Sequence, residues 1–236
     1  QVGMYLLFRM GGFPAMTVAV ASLAALSLGM VYLQMEASPL LRAFLLIPAA
    51  VVAALVWSPR PQLASLVLFS GLAYLIYLYK WRRRDVLWTC LPLFVLWSNL
   101  HGGYALGLLL LAATIAGEVL NHLSGLEDEA VIPWRGIARL GFCLAGGWLA
   151  AAINPNGAAM WAIPFKTVGL GVLREFISEW QSPDFHQLVQ QPFLWLLLAT
   201  LGTAGLSRRR LDGSDLFSVA GFAALALLAR RNFGPF

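Results

Sequence analysis

The feature that most constrains this chain is a series of long apolar runs separated by short polar connections. Runs of about 17 to 22 residues recur along the sequence, and a helix rising about 1.5 Å per residue needs that length to cross a hydrocarbon core of about 30 Å. Only 11% of the residues are charged, whereas soluble domains carry roughly 25%. The sequence therefore predicts an all-α, polytopic integral membrane protein.

Charges, prolines and glycines divide the apolar residues into about eight hydrophobic helices, one or two of them short. The predicted helices cover 13–34, 41–57, 63–79, 86–99, 103–120, 137–153, 191–206 and 214–229. We expect residues 1–236 to form a single transmembrane domain. Because the chain begins at Gln1 without Met and ends without a polar tail, we also expect it to be a fragment of a longer protein.

The segment 158–186 is too interrupted by proline, glycine and charge to span a membrane. Its apolar residues nevertheless recur every three or four positions, as Trp161, Phe165, Val168, Val172, Phe176 and Trp180. This stripe predicts an amphipathic helix on the outer surface of the membrane, broken near its glycines. Such a helix would roof a pocket.

The motif "WSNLHGGYALG" (97–107) decides the predicted topology, because it places polar residues and two glycines between apolar runs. If the chain reverses at Gly102 and Gly103, the basic clusters 80–84 and 208–210 fall on the same side. That arrangement satisfies the positive-inside rule, whereas a continuous helix would place the clusters on opposite sides. We therefore expect a hairpin, with both basic clusters in the cytoplasm.

This topology brings five polar motifs to the outer boundary of the membrane. They are "SPRPQ" (58–62), "SNLHGG" (98–103), "INPNG" (153–157), "SEWQSPDFH" (178–186) and "ARRN" (229–232). The order of these motifs, with "RPQL" opening a helix, resembles a family of bacterial polytopic proteins. That family is related to the C-type (GT-C) glycosyltransferase superfamily, which includes protein mannosyltransferases and oligosaccharyltransferases. The similarity covers most of the chain.

The resemblance implies transfer of a sugar from a polyprenyl-phosphate carrier to an acceptor, at the extracytoplasmic face of the bacterial inner membrane. In the superfamily, the catalytic base is generally an acidic residue of the first outer loop, which would precede Gln1. The main acid would then be missing from this fragment. If the fragment holds a catalytic acid or base, we expect Glu179 or Asp184, although Glu179 can also pair with Arg174 one helical turn away.

The candidate phosphate-binding cations are Arg60, Arg230 and Arg231, because guanidinium groups form bidentate, charge-assisted hydrogen bonds with phosphate. The alternative for each is an interfacial arginine that reaches the lipid headgroups. For the polar side chains of the outer motifs, binding of sugar or phosphate competes with a structural role. Asn99 and His101 can form a polar hairpin tip, while Asn154 and Asn156 can end a helix in an Asx turn.

Sequence patterns leave three classes of function open. The first is the glycosyltransferase-like membrane protein, with membrane lipids and a polyprenyl-phosphate sugar as partners. The second is a non-catalytic subunit or scaffold that packs against other membrane subunits. The third is a transporter, which is disfavoured because the sequence shows no inverted repeats.

We expect no metal, since His101 has no second ligand at a suitable spacing, and we expect no cofactor and no nucleic-acid partner. Glu118 is expected near the membrane interface, because an unpaired acid inside a bilayer is costly.

Overall fold

The computed structural model describes residues 2–126, 128–169, 175–208 and 210–236. Within these ranges all regular structure is helical. The α-helices are α1 (Val2–Gln34), α2 (Pro39–Ala54), α3 (Pro61–Lys80), α4 (Cys90–Leu100), α5 (Tyr104–Leu123), α6 (Trp134–Ala150), α7 (Ile163–Gly169), α8 (Gln191–Leu206) and α9 (Gly213–Leu228). Short 3-10 turns cover Leu87–Thr89, Gly157–Ala162, Ser178–Trp180, Leu188–Gln190 and Arg230–Asn232.

Local chemistry explains where several helices begin. Proline opens α2 and α3, because it already has a helical φ and its missing N–H would have no partner at that position. The side chains of Ser38 and Asp212 cap α2 and α9 by accepting hydrogen bonds from backbone N–H groups. Helix α1 starts eleven residues before the predicted helix 13–34 (Val2 against residue 13), and it is kinked at Gly11 and Gly12, where Gly12 has a φ of 59°.

Four helices of the described chain are long and apolar enough to cross a membrane. They are Gly3–Gln34, Pro61–Lys80, Tyr104–Leu123 and Leu188–Leu206. Shorter apolar helices cover Pro39–Ala54, Leu87–Leu100 and Gly213–Leu228. Every predicted hydrophobic helix thus has a helical counterpart, but the number of eight membrane spans stays a prediction.

The chain reverses between α4 and α5. Helix α4 ends at Leu100, His101 is extended (φ −162°, ψ 147°), and α5 begins at Tyr104. A Cβ atom at Gly107 would overlap the rings of Trp97 and Phe94. Since these residues are ten and thirteen positions apart, only a hairpin brings them into contact, and residues 86–120 are not one continuous rod.

Helix α5 lies at the centre of the molecule, against α9 and α6, while α3 packs against α1 and α4. Fully buried aromatic residues fill the space between α4, α5 and α6, among them Phe94, Trp97 and Tyr104. Large apolar side chains also cover the outside, as Met10, Phe142, Trp195 and Leu206 show. An exterior of this kind suits contact with lipid better than contact with water.

The segment 158–186 is less regular than the predicted interfacial helix. It begins with the 3-10 turn Gly157–Ala162 and continues as the seven-residue helix α7. Val172 lies outside the described residues. Ile177 has an extended backbone before the turn Ser178–Trp180, so the helical stripe does not run unbroken to Trp180. The predicted break near the glycines coincides with the end of α7 at Gly169, but residues 178–180 form a 3-10 turn instead of the second part of an α-helix.

Candidate functional site

The five polar motifs of the predicted outer face meet at one end of the helical bundle. Arg60 pairs with Glu179, with 3.0 Å between guanidinium nitrogen and carboxylate oxygen. Arg230 donates hydrogen bonds from its guanidinium to the carbonyl oxygen of Ser178. Asn99 Nδ2 donates to the carbonyl oxygen of Ile153 (2.8 Å). The basic segment 80–84 follows the other end of α3, so these motifs and that segment occupy opposite ends of the bundle.

A cavity of about 1340 Å³ opens at this end. One wall is formed by small and apolar residues of α5 and α6, including Ala105, Leu109, Gly141 and Ala145. Residues of α7 and Trp180 form another wall, so the segment 158–186 does contribute to the enclosure. The lining residues with polar side-chain groups are Gln62, Ser65, His101, Tyr104, Trp148, Thr167, Trp180, Arg231 and Asn232. The cavity therefore combines a long apolar surface with a small cationic and hydrogen-bonding region.

His101 lies in the hairpin between α4 and α5 and lines the cavity. Its Nδ1 atom lies 2.7 Å from Ser65 Oγ and accepts a hydrogen bond from the Gly103 N–H at 3.1 Å. Burial lowers the pKa of His101, and the positive charge of Arg231 lowers it further. At neutral pH the imidazole is therefore uncharged.

Arg231 supplies the cationic group of the cavity. Its guanidinium lies 4.0 Å from the centre of the Trp180 ring, a cation–π contact. Burial lowers the pKa of Arg231, and Glu179 acts in the opposite direction, but guanidinium groups remain protonated in proteins. A guanidinium that stacks on an indole face can still donate hydrogen bonds from its N–H edge, the part of an arginine that matches carboxylate and phosphate groups.

The other two candidate cations contact protein groups outside the cavity lining. Arg60 is occupied by Glu179, and the exposed fractions of the two side chains are 57% and 35%. Arg230 holds the Ser178 carbonyl, and its own N–H donates to the carbonyl oxygen of Gln181 (3.1 Å). Both arginines therefore fasten the segment 178–181. Glu179 pairs across the fold, while its predicted alternative partner, Arg174, lies outside the described residues.

The three asparagines have structural hydrogen bonds. Asn99 donates to the carbonyl oxygens of Val95 and Ile153, and so it ties the end of α4 to the segment after α6. Asn154 donates to the Ala151 carbonyl and accepts from the backbone N–H of Asn156 (2.7 Å), which is an Asx turn. None of the three is among the residues that line the cavity, so their contacts favour the structural alternative.

Asp184 organises its own loop. Its carboxylate accepts hydrogen bonds from the His186 N–H (3.1 Å) and the Gln187 side chain (3.0 Å). Its backbone N–H donates to the buried side chain of Gln190. Asp184 does not line the cavity, nor does Glu179, so the described cavity wall contains no carboxylate.

At the opposite end of the bundle, a buried charge cluster joins three helices, and sequence patterns did not predict it. Lys80 Nζ contacts Glu118, both carboxylate oxygens of Asp212 (2.6 and 2.7 Å) and Ser214 Oγ (2.7 Å). Lys80 is 2% exposed and Glu118 is fully buried. The ammonium group of Lys80 offsets the charge that makes a buried Glu118 costly, and the expected position of Glu118 near the membrane interface stays a prediction.

Sequence patterns indicated His101 and Arg231 and placed Trp180 in a segment expected to roof a pocket, but they gave no role to Ser65 or Trp97. Ser65 and Trp97 occur within apolar runs, where a serine or a tryptophan is common in any helix. The buried cluster had one detectable sign, since Glu118 in an apolar run requires a partner. Lys80, however, is indistinguishable in sequence from the loop arginines that follow it.

Comparison with protein-family models, with curated proteins and with solved structures gives no match. Within the described chain, no group of three or more His, Cys, Asp or Glu residues is arranged to hold a metal ion.

Proposed function

We propose that this chain is a C-type glycosyltransferase-like membrane protein that binds a polyprenyl-phosphate-linked sugar at the extracytoplasmic face of the bacterial inner membrane. The proposal includes the eight-span topology, with the cavity at the outer end and the basic segments 80–84 and 208–210 inside. The observation that supports it is the cavity, which has apolar walls and a polar region that contains Arg231 and His101.

The phosphate of the carrier would occupy the polar region of the cavity. Arg231 offers a fixed positive charge, and charge-assisted hydrogen bonds to phosphate are about twice as strong as neutral ones. The prenyl tail would lie along the α5 and α6 wall, where each buried methylene contributes about 0.8 kcal/mol. A charged headgroup and an apolar tail are the two chemical features that this cavity separates.

In the transfer reaction, an acceptor hydroxyl oxygen attacks the anomeric carbon of the sugar while the bond to the carrier phosphate breaks. The hydroxyl proton goes to a base, and the prenyl phosphate leaves with the bonding electrons. Arg231 would offset the charge that develops on the departing phosphate. The base is not among the described cavity residues, and the superfamily resemblance points to an acidic residue of the first outer loop.

The experiment that tests the proposal measures binding and turnover of a labelled polyprenyl-phosphate sugar by the full-length protein in nanodiscs. We expect Arg231→Ala to weaken binding about tenfold or more, since it removes charge-assisted hydrogen bonds worth about 1.5–3 kcal/mol. Arg135→Ala is the matched control, because Arg135 is an exposed arginine in the first turn of α6, outside the cavity lining. Equal binding by both variants would contradict the proposal.

A second function, a non-catalytic membrane subunit or scaffold that binds a lipid, is favoured by one observation: no described cavity residue is a carboxylate. The same experiment separates the two functions. An enzyme releases prenyl phosphate when an acceptor is added, whereas a lipid-binding subunit retains the labelled sugar-lipid unchanged. Binding by the wild-type protein that is weakened in Arg231→Ala, together with no turnover by the wild type, would support the subunit.

A further inference from the structure

The hydrogen bonds around His101 determine which of its nitrogen atoms carries the proton. The backbone N–H of Gly103 can only donate, so Nδ1 of His101, which lies 3.1 Å away, must accept. A neutral imidazole that accepts at Nδ1 carries its proton on Nε2.

The hydrogen bonds that link Trp97, Ser65 and His101 agree with the same tautomer. The indole Nε1–H of Trp97 can only donate, and it donates to Ser65 Oγ at 2.8 Å. Because Nδ1 of His101 already accepts from the Gly103 N–H, the Ser65 hydroxyl, 2.7 Å away, acts as a donor to the same nitrogen. Trp97 is fully buried and Ser65 is 6% exposed, so water does not compete strongly for these bonds.

Nε2, on the other side of the ring, has no hydrogen-bond partner among the described residues, and His101 lines the cavity. We infer that Ser65 and Trp97 are positioning residues that hold His101 as a neutral donor, whose Nε2–H is offered to an acceptor oxygen of the cavity ligand. His101 then takes no proton from an acceptor hydroxyl. Together with Arg231, it forms a region that only donates hydrogen bonds, which suits phosphate oxygens.

Protonation of His101 would disrupt this arrangement. An added proton on Nδ1 would face the Gly103 N–H and force the Ser65 hydroxyl to turn away. It would also add a positive charge close to the guanidinium of Arg231, and the two like charges would repel each other. The inference deepens the proposed function and rests on it for the identity of the ligand, but the tautomer itself can be measured without any ligand.

The direct test is NMR of the full-length protein labelled with ¹⁵N-histidine. The described chain contains His101, His122 and His186, and His101→Gln identifies the relevant signals. We expect the Nε2–H tautomer at neutral pH and a protonation midpoint of His101 below the ordinary histidine value of about 6.5. An Nδ1–H tautomer, or a protonation midpoint of His101 at or above about 6.5, would overturn the inference.

Two serines of α3 provide a matched pair of variants. Ser65 and Ser70 are both buried, and Ser70 bonds to Ser27 instead of a histidine (2.6 Å). Ser65→Ala should raise the protonation midpoint of His101, because it removes a donor that stabilises the neutral ring, and Ser70→Ala should leave the midpoint unchanged. A serine that only stabilises the fold would not change the protonation midpoint of His101.

Binding of a short-chain prenyl phosphate, with inorganic phosphate as comparison, tests the ligand. Ser65→Ala should weaken prenyl-phosphate binding about threefold to tenfold, as expected for one neutral hydrogen bond, and Ser70→Ala should not. If the Nε2–H tautomer is found but neither probe binds, the proposed function fails and the positioning of His101 stands. If both serine variants lose affinity equally, the role of Ser65 in ligand binding is overturned.

Discussion

At the scale of single residues, the two ends of α3 carry cations in opposite environments. Arg60, just before the helix, pairs with Glu179 where both side chains reach solvent. Lys80, at the last position of the helix, is buried with Glu118 and Asp212. An exposed ion pair contributes roughly 0–1 kcal/mol, whereas removal of one partner from a buried pair costs about 3–5 kcal/mol because a charge remains without compensation.

We therefore expect Lys80→Met to lower the free energy of unfolding by about 3–5 kcal/mol. Arg60→Met is the matched control at the other end of the same helix, with an expected loss below about 1 kcal/mol. Denaturant titration in detergent micelles, followed by tryptophan fluorescence, measures both. Similar losses for the two variants would contradict the burial of the Lys80 cluster.

At the scale of secondary structure, α5 and α9 approach each other closely enough that their backbones touch. A Cβ atom at Gly117 would overlap backbone atoms of Gly213 and Ser214. The side chain of Asn121, one turn further along α5, accepts a hydrogen bond from the Gly213 N–H (2.7 Å). This close approach brings the first turn of α9 to the helix that carries Glu118, and it allows Asp212 to reach Lys80.

Gly117→Ala should separate the two helices and lower the thermal unfolding midpoint by several degrees, since a rigid backbone cannot yield to the added methyl group. Gly221→Ala, in α9, is the control, because nothing lies within 4 Å of a Cβ atom there. That variant should be neutral or slightly stabilising, as alanine favours helix over glycine. Destabilisation of equal size in both variants would show that helix packing at Gly117 is not tight.

The hydrophobic helices themselves could be predicted from the sequence, because apolar runs and their proline and glycine boundaries are local properties. The reversal at Gly102 and Gly103 was also predicted, from charge distribution and two adjacent glycines. The turn at Ser178 was not, because Arg60 and Arg230 hold that segment from distant parts of the chain. Long-range contacts, not periodicity, determine the shape of residues 178–181.

At the scale of the whole molecule, the polar groups of the described chain concentrate at two ends with different chemistry. One end has a large cavity with His101 and Arg231. The other end has a fully bonded cluster of Lys80, Glu118 and Asp212 that joins α3, α5 and α9. We expect the first end to bind ligand and the second to hold the helices in register.

Stability should depend on pH through the second end. Burial acts to raise the pKa of Asp212, but hydrogen bonds from Lys80 and Ser214 and the charge of Lys80 outweigh burial, so the pKa lies below its ordinary value of 3.8. Because the folded-state pKa is depressed, the stabilisation is complete above the unfolded-state pKa and is lost as pH falls through the folded-state pKa.

The unfolding free energy should therefore decrease below about pH 4. Asp212→Asn should be less stable at neutral pH and should lose less stability on acidification than the wild type does. Denaturant titrations at several pH values between 3 and 7 measure this slope. Asp184→Asn is the comparison, since its carboxylate is exposed and bonds only within its own loop. A wild-type slope retained in Asp212→Asn would contradict the assignment.

Composition and local pattern alone determined that this chain forms apolar helices, where most of them begin and end, and where it turns back on itself. Only the tertiary structure decided that Glu118 meets Lys80, that Glu179 pairs with Arg60, and that Arg231 rather than Arg60 faces the cavity. The reason is physical: hydrophobicity and helix boundaries act over a few neighbouring residues, while a charge pair depends on atoms brought within about 4 Å from segments up to 132 positions apart.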